Sequence, residues 1–302
     1  MNKLQTDHYF SIGDSHGIEG KPCQDYAISG ILKDSAFAIV SDGCSSGGHT
    51  DIGARMMALG TARAIRRHAK ASENVPITVS AVSEISFFQQ AFLEDTMRLL
   101  EVPFEDMLAT CIYAYVGKDF GFVHVLGDGV VAFVLPSGDL EMHLFEWEKN
   151  MPFYPVYKSL TGANAFVVAH GRDENRKCLR EEIWIRKVTG EYVEQTCVEH
   201  SVKDGMYGVT IPISTQSMGV EGWTLGIFSD GVTQIDGIGQ VDGVDWKDAV
   251  SSFLAFKTTG GAFLKRRMIR GLKEFRKQEK TLFDDIGCAA LCFAKSREES
   301  VG

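Results

Sequence analysis

The most constraining feature of this 302-residue chain is a local device that occurs twice. Residues 37–43, Phe-Ala-Ile-Val-Ser-Asp-Gly, form an apolar run of strand type that stops on an aspartate and a glycine. Residues 225–231, Leu-Gly-Ile-Phe-Ser-Asp-Gly, repeat it. An aspartate at the end of a buried strand has its carboxylate pushed out of the sheet. The glycine lets the next carbonyl turn toward the same point. Together they present hard oxygen atoms suited to a divalent cation. A single Asp-Gly is most often an ordinary turn. Related settings recur, however, at Asp25, Asp128 and Asp284, the last followed directly by Asp285. Carboxylates gathered at the rim of a core repel one another unless a cation sits between them. Oxygen ligands without clustered His or Cys select Mg²⁺ or Mn²⁺ over zinc.

Short strands are predicted at 8–13 and 25–32, flanking a loop rich in turn formers. Residues 25–41 form a hairpin through Asp34-Ser35. The spacing of Ile52, Met56 and Leu59 predicts a helix over 50–70, with a basic end that suits a helix C-terminus. A second helix is predicted from about 79 to 100, closed by Pro103. Residues 108–116, 121–126 and 130–135 read as a three-stranded meander. Residues 225–228 and 286–293 are strands, with helices between them at about 245–256 and 262–280. The segment 139–224 is the least legible. Within it 165–169 reads as a strand, 170–180 as a loop, and 183–187 with 192–198 as a hairpin. Mobile elements that gate a substrate and ordinary meander strands are both consistent with that segment.

Apolar content of 44% is enough for a sizeable core. No linker-like tract divides the chain, so a single domain is expected over 1–302, with its core at about 8–295 and a frayed tail at 296–302. The fold class is α/β (α+β): mostly antiparallel strands in a sandwich, covered by two blocks of paired helices. Net charge is −9, which excludes an ordinary nucleic-acid surface. An acidic protein that handles phosphate has to neutralise its own field locally, and bound cations do that. The seven cysteines are scattered without CxxC spacing and imply reduced thiols rather than a disulfide framework. With no apolar leader and no stretch long enough to span a bilayer, a soluble cytoplasmic protein is expected.

The ordered set Pro22-Cys23-Gln24-Asp25, Ser41-Asp42-Gly43, Ala109-Thr110-Cys111, Gly127-Asp128-Gly129, Ser229-Asp230-Gly231 and Asp284-Asp285-Ile286-Gly287 resembles the PP2C (PPM) family of metal-dependent protein Ser/Thr phosphatases. The bacterial branch, whose N-terminus reads Gly-x-Ser-His followed by Pro-Cys-Gln-Asp, is the nearest in pattern. The resemblance implies a β-sandwich flanked by antiparallel helix pairs. It also implies two Mg²⁺ or Mn²⁺ ions bridged by a water that attacks phosphorus in line. Asp42 would bridge both ions and the Gly43 carbonyl would bind one. Asp25 would act through bound waters. Asp230 and Asp284 would hold the other ion, and Asp128 a possible third. Asp42, Asp25 and His16 are therefore the expected catalytic residues. Thr110 matches a structural position and has no chemical role.

Two departures from the family pattern stand out. The family's phosphate-gripping Arg upstream of the first Asp is missing between residues 9 and 24, where His16 and Lys21 are the available substrate-binding cations. The His that commonly follows the first Asp-Gly is replaced by Cys44, and His49 lies further along. Cys44 also lacks the Cys-x₅-Arg loop of the cysteine phosphatases. The implied partner is a phosphoprotein linked to a Ser/Thr kinase, with no nucleic acid and no membrane. A silent member of this fold that binds a phosphoprotein, and a hydrolase of small phosphate esters, are the alternatives.

Overall fold

The computed structural model describes residues 3–71, 80–117, 120–159, 162–213, 223–239 and 242–294. Its strands are β1 (Lys3–Ser11), β2 (Asp25–Ile31), β3 (Ala36–Asp42), β4 (Cys111–Val116), β5 (Gly121–Leu126), β6 (Gly129–Val134), β7 (Leu140–Trp147), β8 (Lys177–Arg186), β9 (Tyr192–Ser201), β10 (Val209–Ile213), β11 (Thr224–Phe228), β12 (Ile235–Gly237), β13 (Lys280–Leu282) and β14 (Ile286–Ala294). One sheet has seven strands in the order β1-β14-β11-β6-β7-β8-β9, and a second has five in the order β10-β5-β4-β3-β2. β12 and β13 form a small separate ladder. The ladders are antiparallel throughout.

The helices are α1 (Asp14–Glu19), α2 (Thr50–Ala71), α3 (Ser80–Leu100), α4 (Ala163–His170), α5 (Val202–Tyr207), α6 (Trp246–Leu254) and α7 (Phe263–Arg276). The period-2 pattern of β3 explains the layering. Phe37 and Ile39 face the α2/α3 pair and pack with Met57, Ile65, Ile85 and Leu93. Ala38 and Val40 face inward, where they meet Val131, Leu225, Ile227 and Leu291 of the other sheet. A third apolar layer joins Phe228, Cys288 and Ala290 to Val250, Phe253, Leu264 and Met268 of α6 and α7. Each fully buried Leu, Ile or Phe in these layers contributes about 1.5–3 kcal/mol. Because these strands are covered on both faces, they read as unbroken apolar runs rather than as alternating ones.

Two expectations fail within 139–224. Residues 165–169 lie in the helix α4, not in a strand. Phe166 and His170 stand four residues apart on one helical face. There Phe166 packs 5.2 Å from Phe153, and His170 6.1 Å from Tyr157. Val168 is left exposed. The expected loop over 170–180 gives way at Lys177, where β8 begins. β7, β8 and β9 extend the seven-stranded sheet as a meander. The frayed tail falls outside the described residues. All seven cysteines are free thiols. Among the described residues no helix is long and apolar enough to cross a membrane.

Candidate metal centre and active-site cleft

The two sheets open at one end of the sandwich, and the aspartates collect there. Asp25, the first residue of β2, and Asp42, the last of β3, are direct cross-strand partners. Their carboxylates come within hydrogen-bonding reach of each other. Asp128 lies between β5 and β6, where the chain passes from one sheet to the other. Gly127 and Gly129 beside it have φ of 114° and 127°, values natural only to glycine. Asp230 follows β11 of the other sheet, and its carboxylate comes within hydrogen-bonding reach of Asp42. Asp284 stands between β13 and β14, close enough to Asp230 for their charges to repel.

Each Ser of the two Ser-Asp-Gly devices ties the site to its surroundings. Ser41 Oγ donates to the Thr110 carbonyl at 2.6 Å, while the Thr110 amide donates to the Asp42 carbonyl at 2.8 Å. Ser229 Oγ donates to Asp25 Oδ2 at 2.5 Å and accepts from the Gly287 amide at 2.8 Å, which joins the two sheets. Gly43 is buried, and a Cβ there would lie 2.6 Å from the Thr50 carbonyl oxygen, so only glycine keeps the backbone close. Gly231 is tighter still, its position abutting the Asp285 carbonyl.

Asp42, Asp128, Asp230 and Asp284 line a cleft of about 280 Å³, with Asp25 buried beneath it. Burial pushes the Asp25 carboxyl up to about 8, hydrogen bonds from Asp42 and Ser229 notwithstanding. Asp42 is raised well above the usual carboxylate range by burial and then by the charges of Asp25 and Asp230. Asp128 and Asp230 are raised as well, again chiefly by burial. Among the described residues no Lys or Arg forms an ion pair with any of these four acids. Buried carboxylates that repel one another and have no basic partner fit hard divalent cations held by oxygen.

The other expected residues are placed differently. His16 is 5% exposed and lines the cleft beside the acids, with Nδ1 3.0 Å from Asp285 Oδ2 and 3.7 Å from Asp284 Oδ1. These three residues also offer ligand atoms within 4.8 Å of one another. Asp285, however, is already engaged: its oxygens accept the Gly13 amide at 2.7 Å and the Gln24 amide at 2.5 Å. Lys21 does not line the cleft and pairs with Glu19 at 2.8 Å on the surface. His49 is exposed, and its amide donates to Asp106 Oδ1 at 2.7 Å. Cys44 does line the cleft, beside Ser46 at 3.1 Å.

Three contributors were not singled out from sequence. Asp285 anchors the loop that carries Gln24 and Asp25. Tyr154 is buried at the cleft wall against Cys44; burial, then Cys44, raises its phenol. Lys149 is the one Lys or Arg lining the cleft among the described residues. Lys149 and Asn150 both take left-handed backbone angles, φ 61° and 51°, which turn this corner toward the acids. Such strain in non-glycine residues concentrates at functional sites. The segment Glu148-Lys149-Asn150 carried no pattern from which this could be read.

A family model described as Protein phosphatase 2C matches residues 12–275. The chain belongs to the protein phosphatase 2C family. At family level this makes it a metal-dependent phosphatase. Solved structures share the fold at low sequence identity. The Mycobacterium tuberculosis serine/threonine phosphatase PstP aligns at 11% identity over 97% of this chain and 99% of its own, with a TM-score of 0.50. A bacterial serine phosphatase aligns at 9% identity over 98% and 100%, with a TM-score of 0.54. A serine/threonine phosphatase of S. agalactiae aligns at 15% identity over 97% and 100%, with a TM-score of 0.47. No curated protein sequence matches.

Proposed function

We propose that this 2C-type phosphatase hydrolyses phosphoserine and phosphothreonine in proteins, using a pair of Mg²⁺ or Mn²⁺ ions held by Asp25, Asp42, Gly43, Asp230 and Asp284. The observation that carries this reading is the position of Asp42, whose carboxylate is within hydrogen-bonding reach of both Asp25 and Asp230. A central acid of that kind can be shared between two cations. Asp128, close to Asp230, is suited to a third and weaker ion. Bound there, the cations supply Lewis acidity for activating a water and for offsetting charge on the phosphoryl oxygens.

The chain's own side chains bind and orient. Lys149 replaces the missing arginine as the cation that grips the phosphate, and Asn150 beside it donates a further hydrogen bond. Tyr154 holds its proton and offers it as a donor at the cleft wall. His16, on the cleft wall beside Asp284 and Asp285, supplies a second cation for the phosphate when protonated. Lys21 remains a candidate contact only for groups outside the cleft. A phosphoprotein substrate, a kinase counterpart and a cytoplasmic setting follow from the same reading, with residues 8–295 acting as one catalytic unit.

The test is turnover of a phosphothreonine peptide and of p-nitrophenyl phosphate with Mn²⁺, then with EDTA. Peptide turnover that EDTA abolishes is expected, and Asp42→Asn or Asp230→Asn should reduce it by about 10²–10³-fold or more while the fold survives. Full activity in either variant removes the paired-ion reading. Turnover of the small ester alone assigns the chain to small phosphate esters. Inactivity in every condition leaves a phosphoprotein-binding role, for which the absent Arg and Cys44 already argue.

A further inference from the structure

A second concavity, of about 380 Å³, lies between β1 and α7, away from the acids. Its walls are Tyr9, Ile12, Ile269, Leu272, Phe275 and Leu282, and Lys273 and Arg276 stand on its rim. Ile12 is 38% and Ile269 49% exposed, so this is an open apolar groove rather than a buried void. Its α7 side is opposite in charge to the molecule, while Asp7 and Asp14 stand at the β1 side. α7 carries six basic residues and one acid in 14 positions, on a chain whose net charge is −9. Lys265, Arg266, Arg270, Lys273 and Arg276 are all exposed. Neither Arg270 nor Lys273 pairs with a carboxylate among the described residues.

We propose that this groove docks an acidic amphipathic segment of a partner protein. Apolar side chains of the segment fill the space between Ile12 and Ile269, and its Asp or Glu residues meet Arg270, Lys273 and Arg276. Aliphatic and aromatic walls call for apolar side chains, and a cationic rim calls for carboxylates; both conditions are met by one peptide. A membrane is the poorer occupant. The apolar surface is concave, and the rest of this acidic chain is repelled by an anionic bilayer. The groove also adjoins the N-terminal turn of the site. Arg276 pairs with Asp14 at 3.1 Å, and Asp14 opens the short helix that bears His16. A docked carboxylate therefore competes with Asp14 for Arg276, while Thr281 Oγ1 and the Ser15 amide keep the helix in place.

Random 12-residue peptides displayed on phage and panned against the full-length protein test the proposal. It expects enriched sequences that set Asp or Glu beside Leu, Ile or Phe. A labelled enriched peptide should bind about tenfold or more weakly to Ile269→Asp, and likewise to the double variant Arg270→Glu with Lys273→Glu. Affinity should also fall as salt is raised. Failure to enrich, enrichment of non-acidic sequences, or equal binding to both variants overturns it. So does cosedimentation with phosphatidylserine vesicles that the double variant abolishes, which assigns the face to a bilayer. Concentration-dependent dimerisation lost in Ile269→Asp gives the groove to a second copy and overturns it too. Both substitutions are on exposed positions, and unchanged melting temperatures establish that the variants are folded.

Discussion

Replacing Asp25 by Asn should stabilise the metal-free protein, and the size of the gain can be worked out. Asp25 is 1% exposed, and its carboxyl titrates at about 8 instead of 3.8. Burial is the main cause, and the charges of Asp230 and Asp285 add to it. The folded state therefore holds this proton more tightly than the unfolded chain. For an acid raised in this way, stability is highest below pH 3.8 and falls as pH rises toward 8, where the loss levels off. At pH 7, 1.36 kcal/mol per pH unit above 3.8 gives a cost of about 4 kcal/mol. Asn is neutral in both states and so escapes the cost of taking up that proton, but it weakens the hydrogen bond from Ser229, a loss of about 1 kcal/mol. The net gain of about 3 kcal/mol corresponds to about 6 °C in melting temperature for a chain of this length. Divalent cations act in the opposite direction on the native residue: at 100 times Kd they return about 2.7 kcal/mol to the wild type and less to the variant. Thermal unfolding followed by circular dichroism at pH 5, 7 and 8.5, in EDTA and in saturating Mn²⁺, checks this. The variant should melt higher in EDTA, by a margin that grows with pH, and the margin should close in Mn²⁺. An Asn variant that melts lower in EDTA, or a margin independent of pH, refutes the reasoning.

Two further outcomes are expected. Lys149→Ala should raise KM for a phosphopeptide and weaken inhibition by inorganic phosphate, each by about tenfold, while Lys149→Arg restores both; unchanged phosphate inhibition would remove Lys149 from the substrate site. Glu181 bridges two histidines, His143 at 2.8 Å and His200 at 2.7 Å. Burial opposes charge on both Glu181 and His143, but the hydrogen bonds outweigh it, holding Glu181 at about 2 and His143 above 6.5. The His143 contribution is full below pH 6.5 and lost as pH rises past its folded value; that of Glu181 is full above pH 4.5 and lost as pH falls toward 2. His143→Gln should therefore cost about 2–3 kcal/mol in urea unfolding at pH 5.5 and much less at pH 9. An equal cost at both values would show that packing alone is at stake.

Much of the sandwich was legible because its strands are buried on both faces and stop on Asp-Gly. Residues 37–42, 121–126 and 286–293 have no other way to bury their apolar runs. Asp25, Asp42, Asp128, Asp230 and Asp284 followed from the same signal, and the structure brings them to one end of the sheets. What escaped depends on contacts distant in sequence. A run such as Phe166-Val167-Val168 favours a strand locally, yet the ring of Phe153 decides for a helix. His16 looked like a free cation in a turn-rich loop; its burial against Asp285 is fixed by a residue 269 positions away. Asp285 passed for a repeat of its neighbour, because nothing local shows that both oxygens are taken by backbone amides. Lys149 had no motif at all, and only its place in the folded cleft marks it.

The acids that crowd the open end come from both leaves of the sandwich: Asp25 and Asp42 from one, Asp230 and Asp284 from the other, Asp128 from the strap between them. Their mutual repulsion is a wedge at that one end, opposed by the apolar core between the leaves, by the Ser229–Asp25 hydrogen bond and by the Gln24 amide on Asp285. Whatever neutralises the wedge also clasps the leaves together. Under the proposed function, activity and the tightness of this end of the fold would respond together to the free concentration of divalent cation, so chelation would idle the enzyme and loosen the same corner at once.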